Sequence, residues 1–381
     1  MINPQPYDLA VIGGGPVGAS LAHALKGHSI AFIAPPTSAV GKPGFDPRVY
    51  ALSPGNVEFL RELGVWQKIP AERLARVESM HIFGDDTRSV LEFDAYEAGV
   101  RELAWIVEDS ALQRALLSGL SAMALRCERL QAGAEHAVLS FADGAPIAAR
   151  LVIGADGAHS FVREAAGIDA TERGYGQVAV VANFSCTRAH GNVAYQWFQG
   201  GPVLALLPLP GEQVSMVWSL PEGEAQRVAA LPPEALAQEV ASASRDVLGT
   251  LEVASPARSF ALRRIAARRL IAPRVALVGD AAHVVHPLAG QGLNLGLQDA
   301  RVLAEVIAGR EPGRDPGDER LLRRYERRRA EPILAMDAVI SGLFSLYGAG
   351  NTAVGRMRNA GLNLVDRLPV LKNILIRQAM S

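Results

Sequence analysis

One short segment near the start constrains the fold of this chain more than any other: the glycine turn in "YDLAVIGGGPVGASLAHALKGH". An apolar run of strand length leads into Gly13, Gly15 and Gly18 in G-x-G-x-x-G register, and Ala and Leu at helical spacing follow. The first glycine permits the tight turn, the second lets a pyrophosphate approach the backbone, and the third lets the helix pack on the strand. The segment predicts a strand-turn-helix unit that binds a nucleotide; the alternative is an ordinary tight turn between a strand and a helix.

Composition limits the other functions that the chain can have. The chain has 381 residues, enough for two lobes that each bury a proper interior. Its formal net charge is -1 and 20% of its residues are charged, so nucleic acid is not an expected partner. Cys127 and Cys186 form no CxxC pair and no cluster with histidines at metal-ligand spacing. We therefore expect neither a metal site nor a disulfide framework.

The two ends of the chain bear on its location. Residues 1–8 lack the basic region and cleavage site of a signal peptide, which predicts a cytoplasmic protein. The apolar stretch 332–350 contains Asp337 and several glycines, so we do not expect it to span a membrane. The stretch 359–380 places Leu, Ile and Val at helical spacing among basic residues. It could lie as a peripheral helix on the inner membrane, or dock on the body of the protein or on a partner subunit.

Patterning along the chain predicts an α/β protein in three parts. Strand-length apolar runs followed by helical segments recur on both sides of a β-rich stretch, so the nucleotide-binding domain is expected to be discontinuous. We expect helices from Ser53 onward and over 109–123, and one helix at 232–244 within an otherwise antiparallel sheet. The predicted ranges are 1–75, 100–174 and 267–316 for a Rossmann-like nucleotide-binding domain, 76–99 and 175–266 for an inserted antiparallel substrate domain, and 317–381 for a C-terminal helical region.

Two later glycine motifs strengthen the nucleotide assignment. The segment "GADGAHSFVR" (154–163) places Asp156 at the end of a buried strand and Ser160 at the start of a helix, which also fits a simple capped helix. The segment "VGDAAHVVHPLAGQGLNLGLQDA" (278–300) places Asp280 at a strand end, before small residues and glycines that enter a helix. Backbone N–H groups at such a helix start suit a phosphate or an electron-rich ring held close to the main chain.

The three motifs, in this order and at these separations, resemble those of the single-component FAD-dependent aromatic hydroxylases with the para-hydroxybenzoate hydroxylase fold. Within that group, "DPRVYALSPGNVEFLRELGVW", "HPLAGQGLNLGLQD", "GPVLALLPLP" and "VSMVWS" are similar to segments of the ubiquinone-biosynthesis hydroxylases. The likeness covers nearly the whole chain, and the last glycine motif is the most selective part of it.

Carried over position by position, the resemblance implies a set of FAD contacts. The residues implied at the pyrophosphate turn and at the ribose and diphosphate region are Gly13, Gly15, Gly18, Arg48 and Gln113. Asp280 is implied on the ribitol or phosphate side, and Asp156 belongs to the family's second dinucleotide motif, associated with both FAD and NAD(P)H. The residues implied along the flavin ring are Pro287, Gly290, Gly292, Leu293 and Asn294.

The reaction that the resemblance implies belongs to the cofactor. FAD is reduced by NADH or NADPH, which binds transiently without a second Rossmann domain, and O2 then adds to give a flavin C4a-hydroperoxide. One hydroxyl passes to an aromatic ring, which in the ubiquinone hydroxylases is that of a polyprenylated phenol or quinone precursor, and the other oxygen leaves as water. The protein positions the ring, excludes water and tunes the local charge.

Protein groups could assist at the ring. His283, His286 and Tyr195 have the chemistry to remove a phenolic proton, although the histidines could instead brace the flavin loop and Tyr195 could pack within its sheet. The segment "AYQWFQGGPVLALLPL" alternates as a sheet facing a pocket would, and its aromatic side chains could stack on a ring. The predicted catalytic residues are His286, Pro287, Gly290 and Tyr195, and the predicted substrate residues are Tyr195, Trp197, Phe198 and Leu206.

One stretch departs from the family pattern. "SIAFIAPP" (29–36) reads as the second strand of the nucleotide domain, whose end usually delivers an acid that binds the adenosine ribose about 20 residues beyond the first glycine. That position is Ala34, and no Asp or Glu occurs from 9 to 45. We expect FAD to bind roughly tenfold more weakly or worse, unless Thr37, Ser38 or backbone groups compensate.

Three functions remain open from the sequence. The leading hypothesis is an FAD-dependent monooxygenase that hydroxylates a polyprenylated phenol or quinone precursor of ubiquinone. A hydroxylase of a soluble aromatic compound is the nearest alternative. The missing acid at Ala34 also allows a family member with weak FAD binding that serves as a non-catalytic assembly subunit of a quinone-synthesis complex.

Overall fold

The computed structural model describes residues 5–35, 44–84, 89–286 and 291–348. The fold is the predicted α/β arrangement of a discontinuous Rossmann-like domain with an inserted, largely antiparallel sheet. In chain order the strands are β1 Tyr7–Ile12, β2 Ile30–Ile33, β3 Val49–Leu52, β4 Leu74–Val77, β5 Ser79–Phe83, β6 Val90–Asp94, β7 Ala104–Glu108, β8 Cys127–Ala132, β9 Ala137–Phe141, β10 Ile147–Gly154, β11 Ala170–Cys186, β12 Val193–Phe198, β13 Val203–Leu209, β14 Gln213–Pro221, β15 Leu251–Val253, β16 Arg258–Ala267, β17 Ile271–Ala272, β18 Val275–Leu277 and β19 His283–Val284. The α-helices are α1 Pro16–Ala24, α2 Pro54–Glu62, α3 Asp109–Leu117, α4 Phe161–Ala165, α5 Glu222–Ala229, α6 Pro233–Ala243, α7 Gln291–Ala308 and α8 Glu319–Gly348.

The nucleotide domain is built on a sheet with a parallel centre. Strands β2, β1, β10 and β18 lie side by side in parallel, and the antiparallel strands β9 and β17 continue the sheet beyond β10 and β18. The central strands are nearly continuous apolar runs, as in β1, where Leu9, Ala10 and Val11 are fully buried. Helices α1 and α7 contact each other on this sheet. The carboxyl ends of β1, β10 and β18 therefore meet at one edge, where the three glycine motifs begin.

The inserted domain is a second, larger sheet in the order β19-β16-β11-β14-β13-β12-β5-β6, with β15 pairing β11. Its pairs are antiparallel except for β12 and β5, which run parallel. Helices α5 and α6 cover one face of it, where their apolar side chains pack with Val180, Phe184 and Trp218. The sequence predicted one helix here, and α6 confirms it; α5 was not anticipated. Strands β3, β7 and β4 form a small third sheet between the other two.

Several local predictions can be compared with the structure. Helix α2 begins after Ser53 as predicted, with the Ser53 hydroxyl accepting from the N–H of Asn56. Helix α3 ends at Leu117, earlier than the predicted 123, because Ser118 is extended and Gly119 has a φ of +89°. The predicted domain boundary at 174–175 falls inside β11, so this strand belongs to the large sheet from Ala170 onward. The domain ranges as a whole remain a prediction.

Among the described residues, no helix is long and apolar enough to cross a bilayer.

Candidate active site

The glycine turn contains glycines required by the fold and one that the fold does not require. Gly13 has a φ of +120°, and a Cβ there would overlap the carbonyl oxygen of Ala155 on the neighbouring strand. A Cβ on Gly18 would overlap the carbonyl oxygen of Gly13. A Cβ on Gly15 would meet no atom of the described residues within 4 Å, and its φ of -68° suits any residue. The absence of a side chain at Gly15 therefore leaves room for a ligand rather than for protein atoms.

The helix that follows the turn presents an uncapped N-terminus. Ser53 caps α2 and Ser160 caps α4, whereas no side chain within the described ranges caps α1, which starts from Gly15 and Pro16. Backbone N–H groups and the helix dipole at such a start attract an anion. Gln113 of α3 supports the same turn, since its side-chain amide donates to the carbonyl of Gly14. This arrangement fits a pyrophosphate at the position that the glycine motif predicts.

The end of β2 carries no acidic group. Ala34 is buried, its N–H donates to the carbonyl of Met123, and its methyl group faces the turn, 2.5 Å from where a Cβ on Gly14 would lie. Thr37 and Ser38, the side chains that could replace the missing carboxylate, lie outside the described residues. The structure thus offers no charged ribose ligand at Ala34.

A second polar group surrounds Arg48. The Arg48 guanidinium lies over the ring of Tyr50, 5.4 Å from its centroid, and the Tyr50 hydroxyl donates to Asp109 Oδ1 at 2.8 Å. Desolvation raises the pKa of Tyr50, which keeps the phenol protonated and able to donate. Asp280 lies just after β18 and is accessible to solvent. The protein atoms around it nevertheless raise the pKa of its carboxyl group, and the opposite charges of His283 and Arg48 offset only part of this effect. Arg48 and Asp280 are thus exposed polar groups that a diphosphate and a ribitol chain could contact.

A partly buried ion pair holds the segment that leads to Arg48. Glu108 is 2% exposed and pairs with Arg73, with 3.1 Å between Oε2 and Nη1. Glu108 also accepts from the N–H of Asp46 at 2.5 Å, and the Arg73 guanidinium stacks on Phe45 and donates to the carbonyl of Gly44. The sequence analysis missed this pair, because Arg73 and Glu108 lie far apart in the chain and belong to no motif.

The second dinucleotide motif is tied together by its own side chains. Asp156 accepts from the Ser160 hydroxyl and from the N–H of Val162, which is the capped-helix arrangement that the sequence left open. Arg163 donates to the carbonyl of Ala281 at 2.9 Å and so connects this motif to the loop that carries Asp280. The role of Asp156 toward FAD or NAD(P)H stays a prediction.

The last glycine motif is anchored by buried polar side chains. Asp299 accepts from His283 at 2.6 Å, from Arg329 at 2.6 Å and from the N–H of Gly279 at 2.9 Å. This network fixes the two ends of the motif against α8. It makes His283 a bracing residue, in line with the alternative that the sequence allowed.

Asn294 is also used in bracing. Its Oδ1 accepts from the N–H of Ser53 and from Asn56, and its Nδ2 donates to the carbonyl of Ala51. The side chain therefore joins the start of α7 to β3 and α2, and a contact of Asn294 with the flavin stays a prediction. A Cβ on Gly292 would meet no described atom within 4 Å, and Leu293 packs on the core of the nucleotide domain. Pro287 and Gly290 lie outside the described residues.

His286 follows β19 and packs on β11 of the large sheet. It is fully buried, contacts Gln177 Oε1 at 3.2 Å and packs edge-on against Tyr175 with 4.7 Å between ring centroids. Burial lowers the pKa of His286 to about 4. At neutral pH the imidazole is therefore uncharged and a weak base, which favours bracing over proton removal for this residue.

The large sheet has two faces, and the predicted substrate residues are divided between them. Tyr195 and Trp197 stack on each other with 5.8 Å between ring centroids, and both belong with Leu206 to the core under α5 and α6. Phe198 points the other way and packs with Val203, Val285 and Leu295, next to the last glycine motif. The structure thus brings Phe198 to the motif and leaves Tyr195, Trp197 and Leu206 on the opposite face.

The face on the motif side has a floor that the sequence analysis missed. The central part of one cross-strand row of this face consists of Val181, Val217, Ala205, Gln196 and Ile82, and the row ends at Arg258 on β16 and Leu91 on β6. Val217, Ala205 and Ile82 are only half-buried, so the floor remains open. Successive side chains of β12 and β13 point to opposite faces of the sheet. Only the packing of α5 and α6 shows which of the two faces is left uncovered. No group of three or more histidine, cysteine or acidic side chains suitable for a metal is found in the described ranges.

Comparisons with known proteins agree with this geometry. Residues 6–337 match a family described as FAD binding domain. The ubiquinone hydroxylase UbiL of Rhodospirillum rubrum is 34% identical over 98% of this chain and 89% of its own length. The 3-demethoxyubiquinol 3-hydroxylase of Escherichia coli is 33% identical over 99% of both chains. The crystal structure of Klebsiella pneumoniae HpxO complexed with FAD and uric acid has a TM-score of 0.76 at 20% identity, covering 97% of both chains, and shares the fold.

The features of this chain agree on one cofactor. The open space beside Gly15, the uncapped start of α1 and the exposed Arg48 and Asp280 suit the diphosphate and ribitol of FAD. NADH or NADPH serves as the reductant in this class of enzyme. The chain belongs to the family of FAD-dependent monooxygenases that includes the ubiquinone-biosynthesis hydroxylases.

Proposed function

We propose that this monooxygenase hydroxylates the aromatic ring of a polyprenylated phenol or quinone precursor in ubiquinone biosynthesis. The observation that carries the proposal is the open apolar row beside the last glycine motif, formed by Val217, Ala205 and Ile82 near Phe198. A flat apolar floor suits an aromatic ring with a hydrocarbon tail, and one polar group on it can orient the ring. Relatives that match over nearly the full chain carry names of ubiquinone hydroxylases.

The residues of this chain bind, orient and exclude water. The glycine turn and the start of α1 would hold the FAD diphosphate, with Arg48 and Asp280 beside it. Bound FAD supplies the redox chemistry, taking electrons from NADH or NADPH and passing one oxygen atom of O2 to the ring. Val285 and Leu295 pack with Phe198 and keep water from one side of the cleft.

The test is turnover with a defined phenol. Protein reconstituted with FAD is mixed with NADH or NADPH and a phenol that carries a short isoprenoid tail. We expect faster NAD(P)H oxidation when the phenol is present, and a product with one added oxygen atom by mass spectrometry. The same phenol without the tail is the control. Equal stimulation by the tail-free phenol would favour a hydroxylase of soluble aromatics, and no stimulation by either phenol would contradict the proposal.

A second candidate function rests on Ala34. Without a carboxylate at the end of β2, FAD affinity would fall, and the chain could serve as an assembly subunit of a quinone-synthesis complex instead of as a catalyst. A strain lacking this protein distinguishes the two functions when it is complemented with an Asp280→Ala variant that no longer holds FAD. Full rescue of quinone synthesis would favour the assembly role, and no rescue by a folded variant would favour catalysis.

Membrane contact is a further part of the proposal. The stretch 359–380 lies outside the described residues, and its apolar and basic composition supports either a peripheral membrane helix or docking on the body or a partner. Flotation with vesicles containing anionic lipid tests it, using the full chain and a chain that ends at residue 358. Flotation of the full chain alone would support membrane contact.

A further inference from the structure

Gln196 occupies an unusual place on the face of the large sheet that lies toward the last glycine motif. It is 9% exposed, and its cross-strand neighbours Ala205 and Ile82 are apolar. The row continues through Val217 and Val181 to an exposed Arg258 on β16. No described residue forms a hydrogen bond with its side chain. Its carboxamide atoms are accessible to solvent. The indole nitrogen of Trp197, in contrast, is enclosed in the core on the opposite face without a hydrogen-bond partner among the described residues.

Two apolar clusters border Gln196 along its own strand. On one side, Ala194 packs with Ala75 and Leu209, near the small third sheet. On the other side, Phe198 packs with Val285 and Leu295, which flank the last glycine motif. Because side chains alternate along β12, Gln196 shares the face of Ala194 and Phe198 and lies between the two clusters. Its carboxamide is therefore a polar group between two apolar clusters on this half-covered face.

No described protein group bonds to the Gln196 carboxamide, and its atoms are accessible, so either water or a ligand satisfies it. A buried carboxamide without a partner destabilises the protein, and native proteins satisfy nearly all such groups with protein, water or a ligand. A carboxamide has both an acceptor oxygen and two donor hydrogens, so it can accept from a phenol hydroxyl and donate to a phenolate or a quinone carbonyl. Its nearest row neighbours Ile82, Ala205 and Val217 supply apolar contact for a ring, and the next polar side chain of the row is Arg258, beyond Val181.

We propose that the Gln196 carboxamide hydrogen-bonds the ring oxygen of the aromatic substrate and so determines which ring carbon faces the flavin. This inference rests on the proposed function and adds the residue that orients the substrate. Gln196 recognises the hydroxyl of the phenol, and the isoprenoid tail contacts the apolar side chains around it. A ligand of the same shape whose ring oxygen cannot donate a hydrogen bond loses the hydrogen bond to the Gln196 carbonyl oxygen.

The test compares two ligands and three proteins. The ligands are a phenol with one isoprenoid unit and the methyl ether of that phenol. The proteins are the FAD-loaded wild type, Gln196→Leu and Gln199→Leu. Gln199 is a matched control, since it is exposed, donates to the carbonyl of Ala243 and lies beyond the end of β12. Equilibrium dialysis without NAD(P)H measures binding, and a second assay measures product formed per NAD(P)H oxidised.

We expect the wild type and Gln199→Leu to bind the phenol about tenfold more tightly than the ether, and Gln196→Leu to bind both equally. Gln196→Leu should also form less product per NAD(P)H or shift the hydroxylated position. Its melting temperature should not fall, because leucine removes a buried polar group without a partner.

The failure of this inference is distinct from the failure of the proposed function. If the phenol stimulates wild-type NAD(P)H oxidation but Gln196→Leu keeps the full preference for the phenol, Gln196 holds only water and the inference is wrong. A wild type that binds the phenol and the ether equally would also overturn it. A wild type that the phenol does not stimulate would contradict the proposed function itself.

Discussion

Asp299 of α7 forms an ion pair with Arg329 of α8, with 2.6 Å between Oδ1 and Nε and side-chain exposures of 0% and 3%. The other carboxylate oxygen accepts from His283 and from the N–H of Gly279. Burial disfavours the charged carboxylate, but the charges and hydrogen bonds of His283, Arg329 and Gly279 outweigh it and lower the pKa of Asp299. One acid thus joins the end of β18, the start of the flavin motif and α8.

Replacing Asp299 by Asn should destabilise the protein strongly. The substitution leaves the Arg329 guanidinium buried without a counter-charge, which costs about 3 to 5 kcal/mol. Urea unfolding at pH 7 measures the loss. Glu319→Gln is the control, because the Glu319 and Arg323 pair on the same helix is exposed and should contribute at most about 1 kcal/mol. Equal losses for the two variants would contradict the role assigned to Asp299.

The contribution of Asp299 to stability also depends on pH. Since the pKa of Asp299 is lowered in the folded protein, its stabilising effect is present above pH 3.8 and is lost as the pH falls through the folded value.

His286 should make stability depend on pH in a different range. Burial lowers its pKa from 6.5 to about 4, so the unfolded chain binds one more proton than the folded protein between these values. Stability is therefore complete above pH 6.5 and falls as the pH drops toward 4, by about 2 kcal/mol between pH 7.5 and 5. Urea unfolding of His286→Leu at both pH values should show this part of the pH dependence removed. His159→Gln, at an exposed position, should keep it.

Substitution by alanine should lower stability at Gly13 and FAD affinity at Gly15. Gly13→Ala places a Cβ against the Ala155 carbonyl at a φ of +120°, so we expect a loss of about 2 kcal/mol or more. Gly15→Ala meets no described atom within 4 Å, so the melting temperature without FAD should not change. Its FAD affinity should fall tenfold or more, because the methyl group fills the space for the diphosphate. Unchanged FAD affinity in Gly15→Ala would show that the gap is not the diphosphate site.

The local parts of this structure could be predicted from the sequence. The glycine turn, the Ser53 cap and the α/β pattern depend on residues that lie close together in the chain, so their spacing carries the information. The faces of the large sheet could not be assigned in this way. Alternation separates Tyr195 from Gln196, but the inward face is decided by α5 and α6, which pack from another part of the chain.

The bracing of the site was also hidden from the sequence. Asn294 looked like a flavin contact because it stands in the most selective motif, yet its side chain bonds to Ser53, 241 positions earlier. Arg73 and Glu108 act together only because β4 and β7 are neighbours in the small third sheet. Such pairs join distant segments and have no fixed spacing, so a single sequence does not reveal them.

Tyr195 should not be needed for hydroxylation. Its ring lies on the face covered by α5 and α6, away from the last glycine motif, and burial raises the pKa of its hydroxyl. The hydroxyl therefore stays protonated at neutral pH and cannot take a proton from the substrate. We expect Tyr195→Phe to keep kcat and the product yield per NAD(P)H within about twofold. Phe198→Ala, on the motif side, should raise KM for the phenol about tenfold through lost apolar contact. A large fall of kcat in Tyr195→Phe would restore the predicted proton-carrier role.

The missing acid at Ala34 predicts that FAD binding can be improved by one substitution. The Ala34 methyl group already faces the glycine turn, so the carboxylate of Ala34→Glu can reach a ribose bound beside it. A charge-assisted hydrogen bond of about 1.5 to 3 kcal/mol should tighten FAD binding tenfold or more. FAD fluorescence on dilution of the loaded protein measures the change.

Ala34→Gln separates charge from size in the same experiment. Glutamine has the length of glutamate but no charge, so it should recover only a small part of the affinity. Equal tightening by both substitutions would assign the effect to packing against Gly14 rather than to a ribose contact. A wild type that keeps its FAD on dilution to nanomolar concentration would show that other groups replace the acid. Weak wild-type binding that Ala34→Glu repairs, with turnover rising in parallel, would favour catalysis over an assembly role, because an assembly subunit gains nothing from tighter FAD.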